Sequence, residues 1–218
     1  MDRCQDNSTT VYTIGHSTLP LETFIERLKA FGIQRVVDVR TIPRSRHNPQ
    51  FDRQALPQAL RRRGIGYVHV KGLGGLRRAR RDSINMGWRN ASFRGYADYM
   101  QTKEFHRNLD RLIRIAGQKT IVVMCAEAMA FRCHRSLIAD ALTARGLEVR
   151  HIQNGRAARP HKLTPWISVK ADVITYPAPA SGRRADAVET PQGRETTNDR
   201  PVPIRRVREL TAGSASSD

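Results

Sequence analysis

Short β-branched runs alternate with helical periods through the first 170 residues, the pattern that builds a parallel sheet flanked by helices. Residues 11–14 predict a first strand. Phe24, Ile25, Leu28 and Phe31 then share one face of a helix over 20–31, which Gly32 ends. A second strand over 35–40 leads into a Pro-containing loop, 41–51, and a helix over 52–63 that Gly64 stops. Residues 66–70 read as a third strand. Helices follow near 93–101 and 103–116, the second with Phe105, Leu109, Leu112, Ile113 and Ala116 on one face. Residues 120–124 predict a fourth strand, 134–145 a helix with Leu137, Ile138, Ala141 and Leu142 inward, and 147–151 a fifth strand after Gly146. The pattern implies an α/β fold, a single three-layer domain around a mostly parallel sheet of about five strands.

Two stretches break this rhythm. Residues 71–90 are rich in Gly and Arg, and so long a loop inside a compact domain is functional or mobile unless something orders it. Over 171–218, Pro177, Pro179, Pro191, Pro201 and Pro203 stand among Ser, Thr, Gly and charge with no sustained apolar period, which predicts a disordered tail. The expected division is a polar leader over 1–9, the α/β domain over 10–170 and the tail over 171–218. No apolar run reaches the roughly eighteen residues of a membrane span. The start, Met1-Asp2-Arg3-Cys4, has no apolar stretch behind it, and a cytoplasmic location is expected.

Charge changes the picture of what the domain meets. Lys and Arg number 38 against 20 Asp and Glu, a net charge of +18. Residues 171–218 hold seven of each sign, so the excess, 31 against 13, belongs to the preceding part. Such a field attracts polyanions and speeds their encounter, which makes a nucleotide, a nucleic acid or another phosphorylated ligand the expected partner class. The plain alternative is a composition rich in arginine with no ligand behind it.

Ligands of open parallel sheets sit outside the carboxyl ends of the strands. His16 and Ser17 follow the first strand; Asp38 and Arg40 close the second, with Pro43, Ser45 and Arg46 after it. His69 ends the third, before Gly72-Leu73-Gly74-Gly75 and Arg77. Cys125 and Glu127 leave the fourth beside Cys133-His134-Arg135, and His151 ends the fifth. Titratable groups after every strand predict one crevice.

Cys125 is the sharpest candidate in it. Positive charge or a helix N-terminus lowers a thiol pKa, and Cys133, His134 and Arg135 opening the next helix offer both. Nucleophile, pocket wall and small core hydrophobe all remain open for it. Zinc is a rival use of Cys125, Cys133, His134, His16 and His69. Cys-x7-Cys-His is no familiar ligand spacing, however, and neighbours on a helix diverge, so neither a metal nor a cofactor is expected. His16 and Glu127 are acid–base candidates. Gly74 and Gly75 offer backbone N–H groups to a phosphate, while Trp88, Phe93, Tyr96 and Tyr99 offer either stacking faces or core. Asp38, inside an apolar strand, needs a partner such as Arg40, Arg44 or a backbone donor. With an odd count of three cysteines, a disulfide framework is not expected, and Cys4 reads as incidental.

Six ordered motifs carry a resemblance. They are Tyr12-Thr13-Ile14-Gly15-His16-Ser17-Thr18; Val37-Asp38-Val39-Arg40 with Pro43, Ser45 and Arg46; Tyr67-x-His69 with Leu73-Gly74-Gly75; Phe93-Arg94-Gly95-Tyr96; Met124-Cys125-Ala126-Glu127 with Cys133-His134-Arg135; and His161-Lys162-Leu163-Thr164. Over residues 11–167 the chain resembles the domain-of-unknown-function 488 family, which has no settled activity to lend. The resemblance implies that His16, Ser17, Asp38, Arg40, Pro43, Ser45, Gly74, Gly75, Cys125, Glu127, Cys133, His134 and Arg135 recur as motif positions. The stretch Ala128-Met129-Ala130-Phe131-Arg132 departs from the more polar loop that members carry there.

These features point to an enzyme-like domain binding an anionic ligand in a crevice. Arg40 and Arg135 are expected to hold the anion, Cys125 or Glu127 to act on it, and Ser17, Ser45, Arg46, His69, Gly74, Gly75, Cys133 and His134 to complete the site. The alternative is a non-catalytic nucleic-acid-binding module that lays its Arg-rich stretch on phosphates.

Overall fold

The structure is a computed structural model that describes residues 9–171 and 173–178. Strand β1 (Thr10–Gly15) is followed by helix α1 (Leu21–Ala30), β2 (Arg35–Asp38), α2 (Leu56–Arg61) and β3 (Gly66–His69). Helices α3 (Ala91–Tyr99) and α4 (Lys103–Ala116) precede β4 (Ile121–Cys125), α5 (Arg135–Ala144) and β5 (Glu148–Ile152). Three short strands close the described chain: β6 (Ala158–Pro160), β7 (Ser168–Lys170) and β8 (Val173–Thr175). Asn90 caps α3 by accepting from the Ser92 and Phe93 amides, and Thr102 caps α4 by accepting from the Phe105 amide. Gly146, at φ 79°, takes the left-handed turn that ends α5.

The main sheet runs β3-β2-β4-β1-β5-β6, parallel throughout except for the antiparallel edge strand β6. All five residues of β4 are buried, as a central strand covered on both faces requires. Its period of two divides them. Ile121, Val123 and Cys125 join a core with Leu109, Leu112, Leu137 and Ile138 of α4 and α5. Val122 and Met124 join the opposite core, with Phe24 and Leu28 of α1 and Leu60 of α2. The expected three layers are present.

Strand order fixes where a ligand can enter. From β1 the chain crosses β4 to reach β2, whereas from β4 it crosses β1 to reach β5. The connections of these two neighbours leave in opposite directions, which puts the sheet's switch point, where ligands of such sheets bind, at their carboxyl ends. Gly15 and Cys125 are paired there.

The loop 71–90 is ordered by buried polar groups. Asp98 of α3 accepts from the Arg80 amide, the Ser83 hydroxyl and the Asn85 side chain. Gly95 lets the loop lie flat on α3, since a side chain there would strike the Arg77–Ala79 backbone. The Asn85 side-chain oxygen Oδ1 in turn accepts from the Tyr176 amide.

That last bond corrects the expected boundary at residue 170. β8 pairs antiparallel with β7, and Ile174 and Tyr176 are buried in the core beside α4 and α5. The fold therefore continues to residue 176. Residues 179–218 of the expected tail, and residues 1–8 of the expected leader with Cys4, lie outside the described residues. Among the described residues no helix is long and apolar enough to cross a membrane.

A buried relay ties this C-terminal segment down. The Asp140 carboxylate only accepts, so His161 donates through Nε2 at 2.9 Å. His161 Nδ1 lies 2.9 Å from His151 Nε2, and His151 Nδ1 faces the Thr13 hydroxyl at 2.6 Å. Burial, then His161 and Arg135, lower the His151 pKa from 6.5 to about 4. The unfolded chain takes up that proton first as pH falls. Stability is therefore expected to fall between about pH 6.5 and pH 4, by on the order of 3 kcal/mol in all, and to be fully present above that window. Urea midpoints measured from pH 7.5 down to 4.5 check this, and His151→Gln should flatten the slope.

Candidate functional site

A cleft of about 480 Å³ opens at the carboxyl ends of β1 and β4. Ser17, Gly75, Leu76, Phe93, Tyr96, Cys125, Glu127, Arg132, Cys133 and His134 are on its wall. The His16 and Ser17 amides extend β1 beyond the sheet by donating to the Cys125 and Ala126 carbonyls at 3.0 and 2.8 Å. Gly15 is required because a side chain there would run into the Glu127 carbonyl. Ser17 and Leu76 have φ of 45° and 59°, left-handed backbone that side chains rarely adopt, and both face the cleft. Such strain persists only where surrounding bonds over-determine the backbone.

Three reactive side chains meet on one wall. Cys125 closes β4 toward the α4–α5 side. Cys133 lies before α5 in extended backbone, φ −129° and ψ 142°, and His134 turns into the helix with φ −54° and ψ −18°. That change of backbone brings the neighbouring side chains together, and the expectation that they diverge is overturned. His134 Nδ1 is 3.9 Å from Cys125 Sγ and 3.7 Å from Cys133 Sγ. All three ligand-type atoms lie within 4.8 Å of one another, which makes this the group among the described residues that could hold a metal ion.

The imidazole is oriented by its far nitrogen. His134 Nε2 lies 3.2 Å from the Val39 carbonyl, which only accepts, so Nε2 carries a proton and Nδ1 is turned to both sulfurs. Gly75 packs against the ring, where a Cβ would sit 3.0 Å from Nδ1. The hydrogen bond with Cys133 holds the Cys125 thiol well below the ordinary range, against burial, and pushes the Cys133 thiol up.

A family model described as Domain of unknown function DUF488 matches residues 20–142. The chain belongs to the DUF488 family. The match takes in the sulfur cluster and Arg135, while Gly15, His16 and Ser17 on the other strand of the crevice fall before it. No curated protein and no solved structure matches the chain.

In this DUF488 chain several expected ligand-binding residues are committed elsewhere. Asp38 accepts from the amide, Nε and Nη2 of Arg40 and from the Tyr67 hydroxyl. Arg40 also donates from Nη2 to the Phe51 carbonyl and from Nη1 to His16 Nε2. Its donors are spent inside the fold, not on an anion. His16, expected as an acid–base group, is buried and stacked on Phe51 at 4.2 Å. Because Arg40 only donates, His16 Nε2 accepts, and Nδ1–H donates to the Ser17 carbonyl. Burial first, then Arg40, lowers its pKa, and no nitrogen is left to face a ligand.

Arg135 turns both terminal nitrogens to backbone carbonyls. It is 2% exposed and donates to the Glu127 and Ala128 carbonyls, which pins the loop after β4 across the floor of the cleft. His69 is bonded to the Arg40 carbonyl. Ser45 shapes the 41–52 loop, its amide donating to Asp52 and its hydroxyl accepting from the Asn48 amide. Exposed Arg46 belongs to the same loop, away from the cleft wall. The Gly74 amide donates to the Lys71 carbonyl, so it is not offered to a phosphate. Tyr96 and Tyr99 are core residues whose hydroxyls donate to the Leu73 and Gly72 carbonyls, although Tyr96 also reaches the cleft wall.

The wall keeps Ser17, Gly75, Cys125, exposed Glu127, Cys133 and His134 of the expected set and adds Arg132, Leu76, Ser92 and Phe93. Arg132 was within reach of sequence reasoning, as the basic residue next to the Cys133-His134 pair. Nothing in the sequence marks Leu76 as a left-handed wall residue.

Proposed function

We propose that this DUF488 chain is an enzyme-like domain that binds an anionic ligand, a nucleotide or a nucleic-acid end, in the switch-point cleft and presents the Cys125 sulfur to it. The observation that carries this is the convergence of Cys125, Cys133 and His134 on the wall of a cleft at the carboxyl ends of the two strands whose connections leave in opposite directions. Glu127 supplies an exposed carboxylate on the same wall and Arg132 a cation. With Arg40 and Arg135 spent inside the fold, Arg132 and the basic surface meet the anion. Two buried free thiols fit a reducing compartment, and the cytoplasm is the proposed location.

Fluorescence anisotropy with labelled nucleotides and single- and double-stranded DNA and RNA over a salt series tests the proposal. Binding should survive ~0.2 M salt for one ligand class. It should weaken about tenfold or more in Arg132→Ala, the worth of one charged contact to a phosphate. Cys125→Ala should change affinity or ligand preference as well. A steep salt slope insensitive to both substitutions would overturn the cleft in favour of the Arg-rich surface as a nucleic-acid-binding module.

A further inference from the structure

The geometry points to a divalent cation of the zinc class held by Cys125, Cys133 and His134, with its fourth position open to the cleft. Only the identity of the ligand at that open position rests on the proposed function; the ion itself does not.

Distance, orientation and charge argue for it separately. Zinc bonds sulfur at about 2.3 Å and imidazole nitrogen at about 2.0–2.1 Å, so a tetrahedral site sets its S···N edges near 3.6 Å. The two edges here are 3.7 and 3.9 Å, and a shift of a few tenths of an ångström closes them on an ion. The backbone supplies the turn. A Cys in extended conformation followed by a His entering a helix presents two donors to one point, and the end of β4 supplies the third.

The imidazole is fixed as a ligand should be. Metal-bound histidines donate their other ring N–H to a carbonyl or carboxylate, and His134 does so to Val39. Gly75 keeps the ring face clear of any side chain.

Charge then selects the ion. Cys125 and Cys133 are 8% and 4% exposed, and two thiolates so buried repel each other unless a cation lies between them. Two thiolates and a neutral imidazole balance a dication. Sulfur-rich sets of this kind select zinc over magnesium or calcium. Three protein ligands are the number that catalytic zinc sites use, the remaining position being left to water or substrate. Bound there, the ion would supply a Lewis acid for an anionic oxygen of the ligand in the cleft.

Metal content of the full chain, expressed with zinc and purified without chelator, is the first test. About one zinc per chain is expected. Cobalt added to the metal-free protein should give a thiolate charge-transfer band and the intense visible bands of a tetrahedral site. Cys133→Ser and His134→Asn should weaken cobalt binding by at least about 100-fold, more than the loss of an outer partner costs. Cys4→Ser should leave it unchanged. Should those cluster variants fail to fold, thiol reactivity of the wild-type chain decides. A chelator should expose two thiols to a disulfide reagent, and zinc should protect them again.

Absence of stoichiometric metal and of the cobalt bands in reduced protein overturns the inference, as does loss of metal in Cys4→Ser. A Cys125–Cys133 disulfide that, once reduced, still binds no metal also overturns it. Zinc without any anionic ligand would sink the proposed function and leave the metal site standing; ligand binding by a metal-free chain would do the reverse.

Discussion

Asp38→Ala is expected to destabilise the protein by about 3–5 kcal/mol, a large part of the roughly 5–15 kcal/mol that holds an ordinary domain folded. Asp38 is fully buried and Arg40 nearly so, and the carboxylate accepts four bonds from three donors of Arg40 and one from the Tyr67 hydroxyl. The pair's mutual attraction does not make this residue costly to lose. Removing one partner leaves a guanidinium in the core with no counter-charge, and that is the expensive state. Replacing both, as in Asp38→Leu with Arg40→Met, should therefore recover much of the loss, while Asp38→Asn should fall between. Urea unfolding followed by circular dichroism measures all three. A double variant no more stable than Asp38→Ala would show that the cost comes from packing alone. Because Arg40 also holds His16 and the Phe51 carbonyl, the single variant should loosen the Ser17 wall of the cleft too.

Asp140→Ala is expected to cost about 3 kcal/mol or more and to release the C-terminal segment from the domain. This buried carboxylate accepts from His161 Nε2, the Thr164 amide, the Thr164 hydroxyl and the Tyr176 hydroxyl, at 2.7–3.0 Å. Four donors would lose their acceptor in one substitution. The readout separates this from general destabilisation: under native conditions trypsin should cut at Lys162 and Lys170 in the variant well before it cuts within β1–α5. Wild-type cleavage rates at both lysines would refute the clasp.

Long periodic segments were legible in the sequence because burial on one face leaves a repeating mark. Phe24, Ile25, Leu28 and Phe31 announce α1, and Ile121-Val122-Val123-Met124 announces a central strand. Strands β6, β7 and β8 have three residues each, too few for an alternation to show. Ile174 and Tyr176 look like stray apolar residues in a polar segment until the groove beside α4 and α5 is known. The DUF488 resemblance was legible for a different reason, being spread over six ordered motifs rather than one.

At the site, local chemistry was readable and long-range partnership was not. Asp38 inside an apolar strand demanded a cation, and Arg40 two residues on answered it. Arg135 beside Cys133 and His134 looked like an anion ligand because its true acceptors, the Glu127 and Ala128 carbonyls, are backbone groups that no side-chain pattern reveals. Cys133 and His134 converge only because the helix begins between them, a matter of a single residue in its boundary.

The bond from the Tyr176 amide to Asn85 bears on how the chain matures. Synthesis proceeds from the N-terminus, so the five parallel strands emerge, and can pair, before Tyr176 exists. Until then the loop that carries Gly75 and Leu76 lacks one of its fastenings. The scaffold can form early, and the Asn85 fastening of this loop comes last.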